Sequence, residues 1–213
     1  MNLRHLLATT LVAAMTLAAA AAAPQVGAGI QDLNLLSEKD LAALPNITPA
    51  IAKAIVSKQP FATIVDFNTF VMSQGLTQAQ ATEIYERAFI HLNLNTATGP
   101  EILLVPRIGK NMVREFAEYR PWKTWAQFDK EIGKYVKNNP GELDRLKKYV
   151  FIPINLNTAT DEMFLTIPGV GANMVREFKE YRPWKTQAQF EKEIGKYVNA
   201  KEVARLWRFM VIE

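Results

Sequence analysis

The chain has 213 residues, with 25 basic and 21 acidic side chains and no cysteine. That length allows one large domain or several small ones, and a charged fraction of 22 % excludes disorder over most of it. The lack of cysteine excludes disulfides and thiolate metal sites.

The first 23 residues read as a signal peptide. Arg4 supplies the basic start, Leu6 to Ala20 is apolar, and an alanine run offers small-residue cleavage sites up to Ala23. An uncleaved anchor is the alternative, since the apolar run is long enough to span a bilayer with tilt. The small-residue tail, with no basic cluster after it, favours cleavage. Cleavage after Ala23 removes Arg4 and leaves 24 basic against 21 acidic residues, a net charge of +3. No later segment is apolar enough to span a membrane, so the expected location is periplasmic or secreted.

The remainder is repetitive. Residues 93–136 and 155–198 align at a constant offset of 62, and 32 of the 44 positions are identical. A diverged copy lies upstream, where Leu33-Asn34, Pro45 and Pro60-Phe61 match Leu156-Asn157, Pro168 and Pro183-Trp184 at an offset of 123. The repeats run over 31–91, 92–152 and 153–213, with no long linker between them.

Each repeat reads as four short helices. In the last, Thr160 caps the first helix, whose apolar stripe is Met163, Phe164 and Ile167. Pro168-Gly169-Val170-Gly171 makes a tight turn. The second helix carries Met174, Val175, Phe178 and Tyr181 at helical spacing and ends before Pro183. Thr186 with Gln189, and Asn199 with Glu202, read as capping boxes for the third and fourth helices. The second repeat has Thr124 with Gln127 and Asn139 with Glu142, with Pro140 at the first helical position; the first has Thr63 with Asp66 and Thr77 with Gln80. The fold class is all-α, in units of about sixty residues whose small cores gain from packing on one another.

Ile167-Pro168-Gly169-Val170-Gly171, preceded by Asn155-Leu156-Asn157-Thr158-Ala159-Thr160 and followed by Tyr181-Arg182-Pro183-Trp184-Lys185, resembles the helix-hairpin-helix (HhH) domain of the ComEA family. The resemblance covers all of the third repeat, most of the second and the skeleton of the first. It implies tandem (HhH)2/SAM-like helical domains, sequence-independent binding of double-stranded DNA, and a role in holding DNA outside the inner membrane during natural transformation. The glycines have a physical reason. Glycine permits φ > 0 in the turn, and a bare backbone at a helix N-terminus presents N–H groups to a phosphate. Such contacts hold DNA by its backbone and carry no sequence information.

The three hairpins differ. The third keeps Gly169 and Gly171 around Val170, and Ala172, Asn173 and Arg176 follow. The second reads Pro106-Arg107-Ile108-Gly109-Lys110, then Asn111 and Arg114, with Arg107 expected to strain the turn and add charge. The first reads Pro45-Asn46-Ile47-Thr48, where Asn46 tolerates the left-handed conformation and Thr48 would crowd a phosphate, so this repeat is expected to be structural. Charge ranks them alike. Residues 31–91 hold 4 basic and 6 acidic residues, 92–152 hold 11 and 7, and 153–213 hold 9 and 8, giving nets of −2, +4 and +1. The candidate phosphate contacts are therefore Gly169, Val170, Gly171, Ala172, Asn173 and Arg176, with Arg107, Gly109, Lys110, Asn111 and Arg114.

A structural or adaptor protein of the cell envelope, contacting protein partners, stays open beside DNA binding. The first repeat is similar to the PsbU family of extrinsic photosystem II subunits, which use this fold without nucleic acid. Trp122 and Trp184 read as core rather than base-stacking residues, and Trp125 as surface or an inter-repeat contact. Arg120, Lys123, Arg182 and Lys185 surround a corner that is either phosphate-facing or solvated, and the run Arg145-Leu146-Lys147-Lys148 is open in the same way. His91 stands alone, so no metal is expected. No nucleophile–base pair, catalytic carboxylate pair or nucleotide-binding motif is present, so neither an enzyme nor a cofactor is expected.

Overall fold

The computed structural model describes residues 26, 27 and 29–213, so the signal-peptide assignment at 1–23 lies outside the described residues. The described residues form three successive sets of four helices. The first holds β1 (Gln31–Asp32), α1 (Glu38–Ala42), α2 (Pro49–Lys58), α3 (Ile64–Ser73), α4 (Gln78–Tyr85) and β2 (Ala88–Phe89). The second holds β3 (Leu92–Asn93), α5 (Gly99–Leu103), α6 (Lys110–Glu118), α7 (Trp125–Val136), α8 (Glu142–Lys147) and β4 (Val150–Phe151). The third holds β5 (Ile154–Asn155), α9 (Asp161–Leu165), α10 (Ala172–Glu180), α11 (Gln187–Ile194), α12 (Ala200–Trp207) and β6 (Met210–Val211).

The fold is mostly helical, and the all-α expectation needs one correction. The first strand of each set pairs in parallel with the last: Gln31 with Ala88, Leu92 with Val150, Ile154 with Met210. Parallel strands need a long crossover, and here four helices supply it. Each ladder thus ties the two ends of its unit, as when Ile154 N donates to Phe209 O at 2.8 Å and Leu156 N to Val211 O at 2.9 Å.

A second tie explains the recurring Leu-Asn and Pro-aromatic text. Asn157 Nδ2 donates to Trp184 O at 3.0 Å while Trp184 N donates to Asn157 Oδ1 at 2.7 Å. Asn95 joins Trp122 in the same two bonds, and Asn34 joins Phe61. Trp122 and Trp184 are core residues, each 1 % exposed, and their indole nitrogens donate to Phe116 O and Phe178 O. Arg120 and Arg182 turn inward as well. Arg182 donates to Leu156 O and Ala159 O, and Arg120 to Leu94 O and Ala97 O, which replaces both readings of that corner for these two side chains.

The caps follow the sequence in part. Thr63 with Asp66 and Thr77 with Gln80 are complete capping boxes. Thr124, Thr186 and Asn199 cap their helices, but the reciprocal half is missing. Gln127 and Gln189 accept instead from Lys123 N and Lys185 N, and Glu202 engages Arg205. The expected cap at Asn139 is corrected: α8 starts after Gly141, which sits at φ 85°. Met163 is also corrected, being 38 % exposed while Phe164 and Ile167 are buried.

One continuous apolar core spans the first two units, and a second fills the third. The joint between neighbours is used twice. The closing-strand aromatic of one unit meets the aromatic after the fourth helix of the next, with Phe89–Tyr149 ring centroids 5.1 Å apart and Phe151–Phe209 4.6 Å apart. Trp125 packs edge-on against Phe128 and lines a groove with Ile154 and Met163 of the third unit.

Candidate nucleic-acid interface

In each unit the first two helices meet at one tight turn. Its left-handed residue is Asn46 at φ 63°, Arg107 at φ 61° or Gly169 at φ 79°. The same turn hydrogen bond follows in the second and third units, Ile108 N to Val105 O and Val170 N to Ile167 O, both at 3.1 Å. The hairpin backbone is therefore preserved even where glycine is lost, and Arg107 bears a left-handed cost of about 1 kcal/mol.

The units part company at the next cap. Gly109 (φ −101°, ψ 161°) and Gly171 (φ −113°, ψ 175°) are extended N-caps with no side chain to offer. No atom lies within 4 Å of where a Cβ would stand on either. The first-turn amides of α6, at Lys110 and Asn111, and of α10, at Ala172 and Asn173, have no intrahelical partner and face solvent with the positive end of the helix dipole. In the first unit Thr48 is the N-cap, and its hydroxyl accepts from Ile51 N at 3.3 Å. In α6 the matching amide, Met112 N, donates to Gly109 O at 3.0 Å, so that the open donors there are Lys110 N and Asn111 N.

The cations around these openings are mostly engaged. Arg114 and Arg176, about 70 % exposed, pair with their buried neighbours Glu115 and Glu177 at 2.7 and 2.9 Å. The Tyr135 phenol and the Arg114 guanidinium hold the Glu115 carboxyl below the usual carboxylate range, and Tyr197 and Arg176 do the same for Glu177. Each phenol is pushed up in turn by its carboxylate and by the tyrosine beside it. Tyr135 and Tyr197 also meet Tyr119 and Tyr181 through their hydroxyls, at 3.1 and 2.9 Å. The first unit has Lys53-Ala54 at the Arg-Glu position and lacks this network. Arg107 pairs with Glu86 of the first unit at 3.0 Å. Lys110 makes no ion pair among the described residues.

The sequence-derived residues thus fall into groups. Gly109, Lys110 and Asn111 stand together at one open N-terminus, and Gly171, Ala172 and Asn173 at the other; Arg114 and Arg176 lie one turn further along. Gly169 faces the other way, with the position of its absent Cβ 3.4 Å from Leu35 of the first unit and 3.4 Å from Arg205. Val170 is half-buried against the third core. The run at 145–148 is not a free basic patch, because Arg145 pairs with Glu142 and donates to Pro106 O while Lys147 pairs with Asp129. Sequence reading missed the Arg–Glu–Tyr–Tyr chains, although the duplicated Arg-Glu dipeptide and tyrosines were visible as identities. Among the described residues no three His, Asp or Glu side chains gather as a metal site, and no helix is long and apolar enough to cross a membrane.

Compared with known protein families, curated proteins and solved structures, the chain matches none.

Proposed function

We propose that this protein is an exported, non-catalytic chain of three (HhH)2-like repeats, and that its second and third repeats hold double-stranded DNA by the phosphate backbone without reading sequence. The observation that carries the reading is the pair of glycine-capped, unobstructed N-termini at α6 and α10. Each follows a preserved hairpin turn, and each is the type of site at which backbone amides and the helix dipole favour an anion. The self-capped Thr48 and the net charge of −2 leave the first repeat a structural role. Bare amides give little affinity, so Lys110 and the +4 net charge of the second repeat supply long-range attraction, and binding weakens with salt.

The test is fluorescence anisotropy of a labelled duplex at several salt concentrations, with Gly171→Asp beside the unaltered protein. Binding that falls with added salt, is indifferent to duplex sequence and is lost in Gly171→Asp supports the reading. No binding at low salt by folded protein rejects it.

A second reading, an envelope scaffold or adaptor with protein partners, is favoured by one specific observation. Arg107, Arg114 and Arg176 already have carboxylate partners, and the Gly169 turn rests on Leu35. In that case the hairpins serve to seat one unit on another.

A further inference from the structure

The structure contains a buried polar joint that DNA binding does not use. His91, in the connector between β2 and β3, is 1 % exposed. Its Nδ1 lies 3.9 Å from Oδ2 of Asp32 at the end of β1. Arg208, just after α12, donates from Nη2 to the His91 carbonyl at 3.1 Å. Asp32 of the first unit thus stands beside the imidazole, while Arg208 of the third unit holds the main chain of the same residue.

A strap closes the joint. Gly27 lies directly on the imidazole, so that a Cβ there would overlap His91 Nε2. Its neighbour Val26 donates from its backbone N to Thr166 O of the third unit at 3.0 Å, and Ile30 N returns to Gly27 O at 2.7 Å. Val26 and Gly27 thus link the histidine to the α9 end, one short step before the Gly169 turn.

The chemistry of the enclosure is unbalanced. Asp32 Oδ2, both imidazole nitrogens and Arg208 Nη1 are buried without a hydrogen-bond partner. A neutral imidazole tolerates this at modest cost. An imidazolium would carry two N–H donors and a full charge into a space Gly27 leaves closed to water. Burial pushes the group down to about 4; Asp32 favours the charge and Arg208 adds to the opposition. Behind Arg208 stand Arg205 of α12 and Glu101 of α5, and Lys148 lies beside Gly29 of the strap.

We propose that His91 is an acid-sensitive latch: the strap of Val26 and Gly27 is held closed on a neutral imidazole, and protonation releases it. The open joint restores water to the ring, so the open form binds the proton more tightly and is favoured as pH falls.

Hydrogen exchange at the Val26 and Ile30 amides, corrected for intrinsic rate, tests this without any ligand. With an ordinary histidine in the open form and a value of about 4 in the closed form, protection falls about a hundredfold between about pH 7 and pH 4. In His91→Gln the pH step disappears. Should that variant not fold, Gly27→Val provides the second arm: it wedges the strap off the ring, so both amides are unprotected already at pH 7 and show no further step. Protection that stays constant from pH 7 to pH 4 in the unaltered protein, or a step of the same size in folded His91→Gln, overturns the latch.

Discussion

Replacing Gly171 by threonine gives the third unit the cap that the first already has, and it separates stability from binding. Gly171 is extended, a conformation any residue adopts, and its Cβ position is open. Thr48, at the matching place and with similar backbone angles, accepts from Ile51 N at 3.3 Å. In Gly171→Thr the introduced hydroxyl accepts from Met174 N, for a gain of a few tenths of a kcal/mol, about the usual difference between glycine and a polar N-cap. The same hydroxyl and methyl stand where a phosphate would approach. Losing one amide hydrogen bond to a charged acceptor costs about 1.5–3 kcal/mol, roughly a tenfold to hundredfold weaker complex. Making Gly109→Thr as well removes the second opening and leaves only diffuse charge attraction. Urea unfolding and duplex anisotropy on the same preparations read the two effects. A double variant that binds as tightly as the parent refutes the placement of phosphate at these caps, whatever its stability.

Glu115→Gln with Glu177→Gln frees the guanidinium groups of Arg114 and Arg176 and removes two negative charges beside the openings, so the duplex binds several-fold tighter with a steeper salt dependence, measured by anisotropy against log salt. Trp184→Phe loses the indole bond to Phe178 O and leaves unfilled volume in the core; unfolding free energy falls by about 2–3 kcal/mol while the folded protein binds DNA unchanged, which a base-stacking role would not allow. Overall stability declines on acidification. His91 must be neutral in the fold, so its contribution of up to about 3 kcal/mol is complete above pH 6.5 and is lost as pH falls from there to about 4. The depressed Glu115 and Glu177 carboxyls act in the same direction at lower pH. Urea midpoints at a series of pH values for the parent and His91→Gln isolate the histidine part.

What could be read from the sequence was what local chemistry determines. Thr63 with Asp66 marks a helix start because the two partners lie within one turn, and the 62-residue duplication marks unit boundaries because whole segments match. The parallel ladders are not legible because a two-residue strand has no periodicity to detect. Asn139 was a misleading cap because Gly141, two residues on, adopts a left-handed conformation and starts α8 later. The charges of Arg107, Arg120, Arg176 and Arg182 are plain in the sequence, but their partners are not. Two turn inward to backbone carbonyls about 25 residues away, one meets Glu86 of the preceding unit, and one folds onto its own neighbour. His91 looked solitary because its contacts come from positions 27, 32 and 208. Within the candidate site, the glycine caps were legible and the neutralisation of the nearby cations was not.

The most direct test of the central claim is an NMR titration of the isotope-labelled protein with a short duplex, following backbone amides at all three hairpins. With phosphate at these caps, Lys110, Asn111, Ala172 and Asn173 shift progressively and together with duplex concentration, added salt reverses the shifts, and the amides of Ala50 and Ile51 behind Thr48 stay in place. Binding that leaves the α6 and α10 N-termini unmoved, or that shifts the first unit instead, would contradict the claim.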